Sequence, residues 1–417
     1  MQNLSLCVGR PSSGLNPHEP VLVSSPRPQL SDSKHVLIEV DRFGFSTNNI
    51  TYQALGEAPH FRYFEFNPPP TAGNVSPVTH GLIPVWGFGT IVESTHPEVS
   101  VGERVYGYFS PARYLLVPVS DANKHNFYVP RPHLPADRRP YNTIRRCATD
   151  PQYDPSPLAE DLTMLYRPLF WTAYWCEDWF NASSYRGATA FLITSASSKT
   201  AFCLAYLLKK RRAASGKTIR IVGLTSTRNV AFTTGLGLYD ELFEYGSFES
   251  AAPLQSQGDK WIYIDVAGNE GINDRIRKHF APQKNVVAGV QLGLTNLSPS
   301  APSAATTHFS TNTSLVDARN AEPTGTLKLE QFFMPEWLAI RQKQLTVEQI
   351  ANVQAQAWKD LMTEGESWVK IEQIYGGPAV VQAYRSIAQN GTDAGTGMIL
   401  SLWDRPELGR ENIRSRI

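Results

Sequence analysis

"AFLITSASSKTAFCLAYLLKK", residues 190–210, decides the fold. Its first part is an apolar run of strand length, its middle a polar turn of small side chains, and its end reads as an amphipathic helix closing on Lys209 and Lys210. That order opens a dinucleotide-binding unit, in which the first strand-to-helix turn sets backbone N–H groups and the positive end of a helix beneath a phosphate. Glycine usually stands in such turns because it lets the backbone come close; here Ser195, Ser197, Ser198, Lys199 and Thr200 stand there instead. Each hydroxyl can donate to a phosphate oxygen, and the lysine adds a point charge. Taken alone, the stretch fits a structural strand, turn and helix with a serine cap equally well.

The residues downstream sharpen the phosphate reading. A second strand, "IRIVGLTSTRN" at 219–229, ends in Thr225, Ser226, Thr227 and Arg228 with no acid. A carboxylate there receives the 2′-hydroxyl of an adenosine ribose, whereas hydroxyls and a cation suit a 2′-phosphate. NADP(H) is therefore favoured over NAD(H), against the plainer reading of a helix cap with a solvated arginine. A third strand, "YIDVAG" at 263–268, ends at Asp265 and Gly268, where the chain would pass beside a nicotinamide. Strands and helices go on alternating through "NVVAGVQLG" at 285–293, which predicts a parallel sheet covered by helices on both faces.

Upstream the pattern is different. "HVLIEVDRFGF" at 35–45, "LIPVWGFGTIVES" at 82–94 and two short strands within "VGERVYGYFSPARYLLVPV" at 101–119 make the first 120 residues mainly β. Three consecutive prolines, Pro68 to Pro70, exclude regular structure from the aromatic loop at 61–77. Residues 121–160 show little periodicity and read as an irregular connection, after which "MLYRPLFWTAYWCEDWF" at 164–180 has helical spacing. A Ser/Ala/Pro-rich stretch at 297–310 reads as a surface loop, and a long helix is expected over 347–364. The chain closes with a strand, a helix and a strand between 368 and 403.

The totals narrow the function classes. A chain of 417 residues exceeds the usual size of a single core, so two domains are expected. With 41% hydrophobic and 18% charged residues the composition is that of a globular protein. A net charge of +1 argues against nucleic acid and anionic membrane as partners. Cys7, Cys147, Cys176 and Cys203 are far apart and form no metal-binding pair, so they read as buried thiols. No run approaches the roughly 18 apolar residues of a membrane span, no secretory leader opens the chain, and the cytoplasm is the expected location. The sequon at Asn296-Leu297-Ser298 carries little weight without such a leader.

In their order along the chain these stretches resemble the medium-chain dehydrogenase/reductase superfamily, specifically its zinc-free quinone oxidoreductase-like members and a branch catalogued as domain of unknown function 2855. "STNNITYQALG" at 46–56 is similar to the family's Asn-containing segment, with Tyr52 and Gly56 in matching places. Gly102-Glu103-Arg104-Val105 resembles its Gly-Asp-Arg-Val turn, and Thr172-Ala173-Tyr174 the segment leading into its nucleotide domain. A strand ending in Tyr245 after the second strand and its helix, and the closing "IEQIYGGPAVVQAYRSIAQNGTDAGTGMILSL", also follow the family's order. The resemblance spans about 35–403. It implies an α/β protein with a GroES-like β-rich catalytic domain over 1–165, a Rossmann doubly wound parallel-sheet NADP-binding domain over 166–365, and a return to the catalytic domain over 366–417. A homodimer is a further implication. The catalytic-zinc Cys and Gly-His-Glu positions and the structural-zinc cysteines of the superfamily's alcohol dehydrogenases have no counterpart, since "PVWGFGT" holds neither His nor Glu.

Zinc-free hydride transfer to a double bond conjugated with a carbonyl needs a cofactor held face-on, a group that polarises the carbonyl, and a proton source. Tyr52 is the candidate for the polarising or protonating hydroxyl, with Asn48 or Asn49 placed to bond the nicotinamide ribose or carboxamide; a packing tyrosine is the competing reading. The resemblance implies that Thr172 faces the nicotinamide. Tyr63, Phe64, Phe66 and Trp86 are candidates for lining a pocket for a small apolar carbonyl substrate. The histidines, His60 and His80 included, receive no role. The expected activity is NADP(H)-dependent reduction of an enone, quinone or enoyl-type substrate. The altered turn keeps open a non-redox lyase or dehydratase step on the same scaffold, or dinucleotide binding without turnover.

Overall fold

The structure is a computed structural model and describes all residues except 1, 31, 60, 135–139, 217, 256–257, 294–328 and 405–417. His60, the stretch at 297–310 and the sequon at 296–298 therefore lie outside the described residues. The chain divides into two compact units, one taking in Met1–Leu165 and the chain from Asn352 on, the other Tyr166 to Gly293 and the described residues up to Ala351.

The first unit is built on strands β1 (Gln2–Gly9), β2 (Val21–Pro26), β3 (His35–Phe45), β4 (His80–Gly81), β5 (Val85–Ser94), β6 (Arg104–Phe109), β7 (Tyr114–Pro118), β8 (Asn126–Tyr128) and β9 (Thr143–Arg146), with helix α1 (Thr47–Ala54) after β3. Helix α2 (Pro157–Ala182) begins in this unit. In the second unit follow β10 (Ala190–Ile193), α3 (Lys199–Ser215), β11 (Arg220–Thr225), α4 (Val230–Gly235), β12 (Glu241–Glu244), β13 (Trp261–Asp265), α5 (Glu270–Phe280), β14 (Val286–Gln291), β15 (Leu329–Gln331) and α6 (Met334–Gln344). After α7 (Val347–Gly365), the strands β16 (Lys370–Tyr375) and β17 (Thr396–Ser401), with α8 (Gly377–Asn390) between them, complete the first unit.

In the first unit β2, β1 and β4 form a three-stranded sheet, and an eight-stranded sheet runs β16-β17-β3-β5-β6-β9-β8 with β7 paired to β3. β3 is buried along almost its whole length, so both of its faces are covered. The charges this buries are neutralised locally. Arg42 donates to Asp161 (2.7 Å), Asp41 (2.7 Å) and Glu160 (2.9 Å). Arg104, the arginine of the Gly-Glu-Arg-Val turn, donates to Asp41 (2.8 Å) and Glu160 (2.6 Å). That motif therefore ties β6 and β3 to the first turn of α2. Further along α2, Pro168 supplies no N–H to the carbonyl four residues back, that of Met164. Gly44 of β3 lies against that carbonyl, where a Cβ would come within 3.0 Å of the oxygen.

The second unit holds a six-stranded, all-parallel sheet in the order β12-β11-β10-β13-β14-β15. Its core joins Leu192, Val222, Leu224, Trp261, Tyr263 and the α5 residues Ile276 and Phe280. Helix α3 differs from its expected amphipathic form. Ala201 to Leu208 are buried all round and the exposed residues gather in the last two turns, so polarity varies along the helix and not around it. Residues 121–160 are likewise less irregular than their sequence suggests: β8 and β9, three and four residues long, are too short to show a period. The same holds for β15. All four cysteines are buried, and none is joined in a disulfide. Among the described residues no helix is long and apolar enough to cross a membrane.

Candidate functional site

The turn after β10 is where the second unit concentrates polar groups. Ser195 has φ +52°, the left-handed region that glycine usually fills, so the backbone takes the course of a glycine turn with serine in the strained place. The glycine has moved to the neighbouring strand. A Cβ on Gly223 of β11 would meet the Ala196 Cβ at 2.8 Å and Leu242 and Tyr239 at 2.9 Å, so its absence lets the turn settle on β11. The Ala196 N–H then donates to the Leu224 carbonyl (3.0 Å), and its carbonyl accepts the Tyr239 hydroxyl (2.8 Å).

The side chains divide into occupied and unoccupied donors. Ser197 is buried and its hydroxyl accepts from the Asn229 side chain (3.0 Å). The Ser195 N–H donates to the Tyr245 hydroxyl (2.6 Å), which crosses from the end of β12. Burial raises the pKa of that phenol, so it stays protonated and keeps its own proton to give. Ser198 precedes α3 but makes no side-chain cap bond, and its hydroxyl is buried without a hydrogen-bond partner. The Thr225 hydroxyl at the end of β11 is in the same state. Leaving a buried hydroxyl unpaired costs about 1–3 kcal/mol. Ser198 at the start of α3 and Thr225 at the end of the adjacent strand β11, with half-buried Lys199 and Thr200 in the helix's first turn, suit a phosphate that accepts from hydroxyls and a helix N-terminus.

Thr194, which sequence reasoning passed over, staples this turn to the next strand. Its hydroxyl accepts the Val266 N–H (2.9 Å) and the Ala267 N–H (3.2 Å) and donates to the Asp265 carboxylate (3.1 Å). Asp265 is fully buried, and its oxygens also accept the Gly268 N–H and the Asn273 amide, both at 2.9 Å. Burial raises its pKa against the lowering effect of these bonds. Its acceptors face the protein, so Asp265 shapes the loop through Gly268. After β11, Ser226 leads into a short turn in which Arg228 is exposed and Thr227 donates to Glu244. Ser195, Ser197, Ser198, Lys199, Thr200, Thr225, Ser226, Arg228, Tyr245, Asp265 and Gly268 thus gather at the C-terminal ends of four adjacent parallel strands, β12, β11, β10 and β13, where open α/β sheets take ligands. The Glu244 and Thr194 signals were adjacent in sequence to residues already singled out.

Thr172 lies in α2, where its hydroxyl donates to the Pro168 carbonyl (3.0 Å). In the first unit Asn49 is buried within a capping box. Its oxygen accepts the Ser46 N–H (2.9 Å) and its amide donates to the Pro84 carbonyl (3.1 Å), so it locks α1 to the approach to β5. Asn48 and Tyr52, one turn apart, come together. Burial drives the Tyr52 phenol well above its ordinary range, opposed by the nearby side chains of Asn48, Trp86 and Tyr108. A phenol held protonated is a donor, not a base.

Around Tyr52 stand Tyr63 (ring centres 4.5 Å apart) and Tyr108 (5.8 Å), and Tyr108 in turn contacts Phe66 (5.2 Å), Trp86 (4.9 Å) and Tyr141 (5.1 Å). The Trp86 indole N–H is buried without an acceptor in hydrogen-bond geometry. Phe64 plays a different part from its neighbours: it is wedged against Gly56 and Gly81, where any Cβ would meet its ring within 2.3 Å. His80 is buried and bonds the Thr79 hydroxyl (2.9 Å). Among the described residues no group of three or more His, Cys, Asp or Glu is arranged to hold a metal.

A family model described as "Protein of unknown function (DUF2855)" matches residues 43–393. Among solved structures, CurA from Vibrio vulnificus is 13% identical over 97% of this chain and 99% of that one, with a TM-score of 0.56. CurA from Vibrio vulnificus in complex with NADPH is 12% identical over 95% of this chain and 98% of that one, with a TM-score of 0.54. The quinone oxidoreductase from Coxiella burnetii is 13% identical over 96% of this chain and 99% of that one, with a TM-score of 0.51. The likeness is one of fold: a GroES-like β-rich domain plus a Rossmann domain, as in medium-chain dehydrogenases/reductases. No curated protein sequence matches the chain significantly.

Proposed function

The chain belongs to the family described as "Protein of unknown function (DUF2855)", and from that premise we propose that it is an NADP(H)-dependent, zinc-independent reductase of the medium-chain dehydrogenase/reductase type, acting on an enone, quinone or enoyl-type substrate. The observation that carries the cofactor part is the pair of buried, unpartnered hydroxyls of Ser198, at the start of α3, and Thr225, at the end of the adjacent strand β11. With Lys199, Thr200 and the first N–H groups of α3 they bind the pyrophosphate, and Ser226 and Arg228 take the 2′-phosphate. The Tyr245 hydroxyl, already accepting from Ser195, donates outward. Bound there, a reduced nicotinamide supplies the hydride.

In the first unit Tyr52 donates its O–H to the substrate's carbonyl oxygen, with Asn48 orienting the phenol. The Trp86 N–H is a second donor of the same kind, and the surrounding rings exclude water and favour an apolar substrate. Zinc independence rests on sequence: the positions of the superfamily's zinc ligands carry other residues.

The test is NADPH consumption by the full chain, followed by absorbance against a panel of enones and quinones. Oxidation with at least one of them is the expected result. Tight NADPH binding without oxidation by any would mark a non-catalytic dinucleotide-binding protein, and substrate conversion without added nucleotide would mark a non-redox step.

A further inference from the structure

The sequence that follows β11 offers hydroxyls and Arg228 and no acid, but the fold brings one in. Strand β12 runs parallel to β11 with Thr225 and Glu244 as register partners. From there the Glu244 carboxylate accepts the hydroxyl of Thr227, the residue next to exposed Arg228. Two consequences follow from elementary chemistry. The Thr227 proton is engaged by Glu244 and is not offered to a phosphate. A negative charge is held beside the same turn that Arg228 makes positive, and such a carboxylate accepts from ribose hydroxyls while repelling a 2′-phosphate.

We propose that Glu244 sets the discrimination between 2′-phosphorylated and unphosphorylated nicotinamide dinucleotides, holding the preference that Arg228 creates for NADPH to a modest one; this rests on the dinucleotide reading above. The acid reaches the turn from the neighbouring strand, not from the end of β11 where it is usually sought. Removing its charge unmasks Arg228.

The experiment measures Kd for NADPH and for NADH with the full chain by quenching of tryptophan fluorescence. The wild type is compared with Glu244→Gln, Glu244→Ala and Arg228→Ala, each checked for a cooperative thermal transition. Glu244→Gln is expected to tighten NADPH about tenfold with NADH changed by about twofold or less, as for loss of one screened like charge. Glu244→Ala is expected to move the NADPH-to-NADH ratio the same way, and Arg228→Ala the opposite way. A ratio equal to that of the wild type in both Glu244 variants would overturn the proposal while leaving dinucleotide binding intact. A wild-type chain that binds neither nucleotide would overturn the dinucleotide reading itself, and this inference with it.

Discussion

Ser195 carries the cost of building a phosphate turn without glycine. At φ +52° its Cβ crowds the backbone, and serine there costs about 1 kcal/mol relative to glycine. Ser195→Gly is therefore expected to raise stability by about 1 kcal/mol in urea denaturation, and an unchanged or lower stability would count against the left-handed turn. Tyr52 differs from Ser195 in that its phenol is buried beside Asn48, Trp86 and Tyr108 and remains a proton donor. Tyr52→Phe is expected to cut turnover by about a hundredfold while NADPH affinity stays as in the wild type. Full turnover in that variant would return Tyr52 to the packing residues around it.

At the scale of elements, the turn depends on how closely β11 approaches it. Gly223→Ala would push a methyl to 2.8 Å from the Ala196 Cβ, with Leu242 and Tyr239 barring retreat at 2.9 Å. It is expected to destabilise the chain by about 1–3 kcal/mol and to weaken NADPH and NADH together, read from a denaturation curve and a binding titration. Loss of stability without loss of binding would separate the turn from the site. The quoted stretch shows how far sequence reaches at this scale. Apolar runs bounded by turns located β10, β11, β13 and β3, because periodicity and length are local properties. What was not legible depends on partners distant in sequence: that Gly223 substitutes for a glycine the turn lacks, that Asp265 spends its oxygens on Thr194, Gly268 and Asn273, and that Glu244 reaches Thr227. α3 misled for a related reason, since burial along its first two turns is imposed by neighbouring elements and leaves no stripe to read.

For the whole molecule, pH dependence has an identifiable source in Glu39. Burial pushes its carboxyl up to about 7, with Asp41 adding to the rise and Tyr114 and Arg27 opposing it. The native chain thus holds a proton that the unfolded chain releases near the ordinary value of 4.5. This group's contribution is fully present below that value and is lost as pH rises through about 7, the reverse of a salt-bridged carboxylate. Glu39→Gln is expected to flatten the fall in denaturation midpoint between about pH 5 and 8, and a slope identical to that of the wild type would contradict the assignment.

The central claim, that serine hydroxyls and a helix terminus grip a dinucleotide in place of glycine backbone, is tested most directly by calorimetric titration of NADPH into the full chain. The account requires a saturable heat with one site per chain, weakened by Lys199→Ala. The absence of heat with both NADPH and NADH would contradict it.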